Sequence, residues 1–198
     1  MPDAPPDLVA LVGSRISHDL ASPLGAIANG VELLALTGQG DSPEFRLITE
    51  SVANATARIK AFRIAFGAAA PGQNVKADEI AALFAPGEGG RKLMVDWQPE
   101  GDVPRGLAKL ALLALMCIET ALPRGGQARV STRGGVWQVT GAGPRLTLPA
   151  DLLAALDGNA PDDLAAAHVH FALFASAAQA QDRRLHHQVG ETEITLAF

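Results

Sequence analysis

Near the start of the chain, apolar residues recur at Val9, Ile16, Leu20, Leu24, Ile27, Val31 and Leu34, with small and polar residues between them. The steps are mostly three and four, the repeat of one helix face, so the pattern predicts a helix with a single apolar seam over residues 7–36. Thr37-Gly38-Gln39-Gly40-Asp41 breaks that repeat as a turn. Ser42 then offers an N-cap oxygen and Pro43 suits the first helical position. From there Phe45, Ile48, Val52, Ala55, Ile59, Phe62 and Phe66 alternate steps of three and four, a heptad seam. Two long antiparallel helices follow. Each stripe is wider than one partner helix can cover, so two such hairpins pairing into a four-helix bundle would bury them, and a homodimer is expected. Packing of the seams on the chain's own C-terminal half is the alternative.

The segment Gly67-Ala68-Ala69-Ala70-Pro71-Gly72-Gln73 reads as a hinge. A helical-hairpin domain over 1–71 and a second domain over 75–198 are expected on either side. In the second, the pattern predicts a short helix over 77–84, a strand over 92–97, a long helix over 104–122 and strands over 128–132 and 136–139. A helix over 161–181 and closing strands over 185–189 and 193–197 complete the order. The fold class is α+β, a helical hairpin followed by a two-layer α/β sandwich.

Composition narrows the function. The 198 residues are 48% hydrophobic with only 5% aromatics and no tyrosine, which indicates an aliphatic, helix-rich core. A net charge of −5 without a basic cluster argues against nucleic-acid binding. The single cysteine, Cys117, sits in an apolar run and reads as a buried thiol. Residues 1–8 carry three prolines and two aspartates and lack the pattern of a signal peptide, and the longest apolar run, 110–118, is far short of the ~20 residues of a membrane span. The expectation is a cytoplasmic protein with no membrane contact.

The informative stretch is Ser14-Arg15-Ile16-Ser17-His18-Asp19-Leu20-Ala21-Ser22-Pro23-Leu24. At about 100° per residue, His18 lies roughly 160° from Leu20 and points away from the seam. Ser14, Arg15, Ala21, Ser22 and Gly25 share its face. Nearly all are small, a clearing in which another protein could reach the imidazole. Asn29 and Glu32 fall near the same face farther along and are candidate contacts for a docked partner. Imidazole has an unperturbed pKa of ~6.5, so the largely neutral ring keeps one nitrogen as a nucleophile at pH 7. Asp19 is placed to accept the other N–H, fix the tautomer and stabilise the positive charge that develops as an N–P bond forms. The remaining histidines are less promising. His168 and His170 stand two apart on a predicted helix and His186 and His187 are adjacent on a predicted strand, spacings that make no metal pair. Arg183-Arg184 reads as an anion contact or, more simply, as the solvated start of a strand.

His-Asp-x-x-Ser-Pro-Leu on a seam-bearing helix, followed by a second heptad helix, resembles the dimerisation and phosphotransfer signature of sensor histidine kinases. Residues 110–126 resemble the kinase helix that holds the metal-chelating Asn, but Cys117 falls at that position. Val139-Thr140-Gly141-Ala142-Gly143 keeps the glycines of the Asp-x-Gly-x-Gly box with Val139 in place of the Asp. Residues 167–173 supply no second glycine box. Taken alone, Gly141-Ala142-Gly143 reads as a tight turn rather than a phosphate cradle. A kinase-like hairpin joined to such a degenerate domain resembles the ChpT-type histidine phosphotransferases of alphaproteobacteria. The resemblance implies a homodimer that accepts phosphate on His18 from the receiver domain of a CckA-like hybrid kinase and passes it to response regulators of the CtrA and CpdR type. It also implies that this chain binds no cofactor of its own, with Mg²⁺ held by the partner receiver domain. An active autokinase and a non-catalytic dimeric scaffold or inhibitor of a signalling kinase are the competing readings.

Overall fold

The computed structural model describes residues 8–36, 42–85 and 93–198. The predicted turn at 37–41 and Lys92, the first residue of a predicted strand, lie outside the described residues. The chain divides into two compact units, with the change at Ala69 and Ala70.

The first unit is a helical hairpin of α1 (Leu8–Leu34) and α2 (Pro43–Ala65). A Cβ on Gly13 would stand 2.9 Å from the Phe66 Cβ, so the beginning of α1 meets the end of α2 and the helices run antiparallel. The start of α2 follows from its sequence: Ser42 is extended, its hydroxyl oxygen accepts the Phe45 N–H at 3.1 Å, and Pro43 occupies the first turn. Hydrogen bonds from the Glu44 backbone N–H and then from the Ser42 hydroxyl lower the pKa of the exposed Glu44 carboxyl. The seam is only partly covered. Phe45, Val52, Ala55, Ile59, Phe62 and Phe66 are half-buried, whereas Leu20, Ile27, Leu34 and Ile48 remain about half exposed.

The second unit is a mixed five-stranded sheet with helices on one face. Its strands are β2 (Leu93–Trp97), β4 (Gly126–Arg133), β5 (Val136–Ala142), β6 (His186–Val189) and β7 (Glu193–Ala197), in the order β2-β4-β5-β7-β6. β2 and β4 are parallel and all other neighbours antiparallel. A parallel pair needs a crossover, and α4 (Arg105–Ala121) supplies it. β4 and β5 form a hairpin closed by Gly134 and Gly135, whose φ values of 59° and 82° suit the left-handed two-residue turn that matches strand twist. Ala128, Val130, Trp137, Val139, Ile194 and Leu196 alternate onto the covered face, where β4 and β5 meet the apolar side of α4, whose Leu110, Leu113 and Ile118 are fully buried. α4 also packs on α6 (Val169–Gln179), and α6 on α5 (Ala150–Leu156). A two-stranded antiparallel ribbon, β1 (Asn74–Lys76) with β3 (Asp102–Pro104), lies beside α3 (Ala77–Ala82).

Several elements of this unit differ from the sequence expectation. The helix expected over 161–181 is shorter: the Leu164 N–H closes a turn on the Pro161 carbonyl, Ala166–His168 is a 3-10 turn, and α6 begins only at Val169. The helix expected over 77–84 ends at Ala82, because the Leu83 and Phe84 N–H groups bond three residues back and tighten its last turn. β1, β3 and α5 were not anticipated.

Candidate functional site

His18 stands about three turns into α1, with Asp19 beside it in the same helix. The side chains of Ser14, Arg15, His18, Asp19 and Ser22 lie outside the described residues. The other positions predicted for that face are described. Ala21, Asn29 and Glu32 are exposed and Gly25 is half-exposed. A Cβ on Gly25 would meet nothing within 4 Å. Along this line α1 therefore offers a low, open surface from Ala21 to Glu32, some three turns long.

The second unit shows what replaced the residues that the kinase resemblance leads one to seek. Cys117 is fully buried in α4, and burial raises its thiol pKa well above the ordinary value. It presents a neutral, buried sulfur, with no oxygen for a hard cation. Val139 is likewise fully buried on β5, as a core residue facing α4.

The expectation of a tight turn at Gly141-Ala142-Gly143 is overturned. Gly141 and Ala142 are the last residues of β5 and pair with Ile194 and Glu193 of β7. A Cβ on Gly141 would run into Ile118 Cγ2 and Leu122 Cδ1, and one on Gly143 would press on the Gly125 carbonyl. These glycines let the end of α4 and the following turn lie directly on the strand.

His170 has a role that sequence spacing did not suggest. It is 5% exposed, on α6, and its Nε2 lies 3.0 Å from the Thr120 hydroxyl on α4. The pKa falls from 6.5 to about 4: burial is the main cause, repulsion from His168 adds to it, and the Met116 backbone opposes it. A neutral His170 thus ties α6 to α4. The usable signal was its place between Val169 and Phe171, with the apolar Phe171 and Phe174 marking the buried side of the helix.

Arg183, read from the sequence as an anion contact or a solvated strand start, has a bracing role, and His187 makes a structural contact. The Arg183 Nη1 donates to the carbonyls of Gly135 at 3.0 Å and Phe198 at 3.4 Å, so this arginine braces strand ends. His187 Nε2 lies 2.9 Å from Asp157 Oδ1 across the α5–β6 side of the unit.

Comparison with known proteins fits this architecture. The family model of the histidine phosphotransferase C-terminal domain matches residues 76–193. The protein phosphotransferase ChpT of Brucella abortus (strain 2308) is 38% identical over 169 residues, covering 82% of this chain and 80% of that protein. A solved bacterial phosphotransferase superposes with a TM-score of 0.66 at 25% identity, over 100% of this chain and 98% of that one. Among the described residues, no helix is long and apolar enough to cross a membrane. A second unit that carries the family domain, behind a helical hairpin and over a chain-length relationship, shows that the chain belongs to the histidine phosphotransferases and is a phosphotransferase of two-component phosphorelays.

Proposed function

We propose that His18 is the phosphoryl carrier and that Asp19 orients its ring. The observation carrying this reading is the His-Asp-x-x-Ser-Pro-Leu motif on α1, in line with the open positions Ala21, Gly25, Asn29 and Glu32. In the first half-reaction a neutral ring nitrogen of His18 attacks the phosphorus of a receiver domain's aspartyl phosphate. The N–P bond forms, the acyl P–O bond breaks, and the receiver's carboxylate leaves with the electron pair. The other ring N–H, hydrogen-bonded to Asp19, stabilises the resulting cation. The second half-reaction reverses these steps onto a different receiver aspartate. Mg²⁺ belongs to the receiver in both, where it neutralises phosphate charge.

Ser14, Arg15, Ala21, Ser22, Gly25, Asn29 and Glu32 would form the docking surface. The donor would be the receiver of a CckA-like hybrid kinase, and the acceptors would be response regulators of the CtrA and CpdR type, in the cytoplasm. A homodimer is supported by the seam itself, since Leu20, Ile27, Leu34 and Ile48 stay about half exposed in one chain and a second hairpin would cover them. The second unit would serve without ATP, because Cys117 and Val139 are buried in its core.

Two incubations test the proposal. The pure protein with labelled ATP should acquire no label, and labelling in the absence of a kinase would mean an autokinase. The wild-type chain should move label from a phosphorylated hybrid-kinase receiver to a regulator receiver, and His18→Gln should not. Undiminished signalling by His18→Gln would mean a scaffold.

A further inference from the structure

The basic run Arg183-Arg184-Leu185-His186-His187 lies far along the chain from His18 and is not used in the proposed transfer. In the second unit Arg183, Arg184, Leu185 and His186 of this run form one wall of a cavity of about 600 Å³. The end of α5 and the outer side of α6 form the others, and the floor is made of small apolar residues, chiefly Ala155, Ala172 and Ala175 with Leu185. This volume falls within the ~300–1,000 Å³ range of small-molecule pockets, which pair an apolar lining with a few polar groups.

The charge in the cavity is one-sided. Arg183, Arg184 and His186 line it, and its only carboxylate, Asp157, is already engaged by His187 at 2.9 Å. Arg183 is held in place through its Nη1 by the Gly135 and Phe198 carbonyls, which fixes the position of this lining cation. Among the described residues, the side chains of Arg184 and His186 make no hydrogen bond or ion pair. A basic wall over an alanine floor, on a chain of net charge −5, is a local departure from the protein's overall charge.

We propose that this cavity binds a small organic phosphate. The arginine pair and His186 hold the phosphate, and the apolar part of the ligand lies on Ala172, Ala175 and Leu185. Two guanidinium forks match phosphate geometry, and the floor selects for a ligand with an apolar body over the bare anion. The site is independent of His18 and of the transfer reaction.

The test is titration of the full chain with phenyl phosphate, inorganic phosphate and phenol, followed by calorimetry and by amide shifts. Phenyl phosphate should bind saturably and more tightly than either fragment, with shifts centred on Ala172, Ala175, Ser176 and Leu185. Arg184→Ala, at an exposed position, should weaken it about tenfold or more. Ala172→Trp should block it while leaving the urea midpoint near wild type. The proposal is overturned by shifts elsewhere, by equal affinity for inorganic phosphate, by indifference to Arg184→Ala, or by no saturation at millimolar phenyl phosphate.

Discussion

Acidification should loosen the second unit through His170. In the folded chain this ring stays neutral down to about pH 4, buried against Thr120, whereas unfolded it would protonate near 6.5. Between those values the unfolded chain binds the extra proton, so stability rises with pH. The contribution is complete above pH 6.5 and is lost progressively as pH falls towards 4. The gap from 6.5 to about 4, at ~1.36 kcal/mol per pH unit, makes this loss about 3 kcal/mol. Other acid-sensitive groups contribute to any single curve, so the informative quantity is a difference. Urea unfolding followed by tryptophan fluorescence reports the second unit alone, because Trp97 and Trp137 both belong to it. His170→Leu should be less stable than wild type at pH 7, since Thr120 loses its partner, yet the two proteins should converge by roughly 3 kcal/mol towards pH 4. Parallel loss of stability in both across that window would refute the reasoning.

Three further outcomes follow from the packing. Gly141→Ala drives a methyl into Ile118 and Leu122 and should cost about 1–3 kcal/mol by the same fluorescence assay, and an unchanged midpoint would show that α4 can yield. Ser42→Ala removes the cap of α2, a loss of ~1 kcal/mol that should speed amide exchange at Phe45 about fivefold without altering exchange in the sheet. If the exposed seam is a dimer interface, Ile27→Glu with Ile48→Glu should give a monomer by sedimentation equilibrium, and a persisting dimer would place the interface elsewhere.

Long elements with strong patterns were legible from the residues. The α2 start at Ser42 and Pro43 followed from capping chemistry, and β7 at Glu193–Ala197 from alternation. Three-residue β1 and β3 were not, because a strand that short has no period, and its pairing of Val75 with Val103 is set by tertiary contact. α5 did carry a signal: Pro149 ahead of it, Leu152, Ala155 and Leu156 on its buried side, and Gly158 just beyond its end. The alanine-rich stretch before α6 misled in the opposite direction, since its helix propensity lost to the Pro161–Leu164 turn. The glycines of β5 show a deeper limit. Their spacing was visible, but the reason for it, the close approach of α4, exists only once the chain has folded. For the candidate site, the motif at His18 and the openness of its face at Ala21, Asn29 and Glu32 were readable, while the bracing role of His170 was not.

The most direct measurement is to incubate the full chain with a phosphorylated receiver domain and no ATP, and then to map acid-labile phosphate by mass spectrometry. Phosphate on His18, and on none of His168, His170, His186 or His187, is the predicted result. Phosphate on one of those four instead, or a receiver that hands on its phosphate while His18 is never loaded, would contradict it.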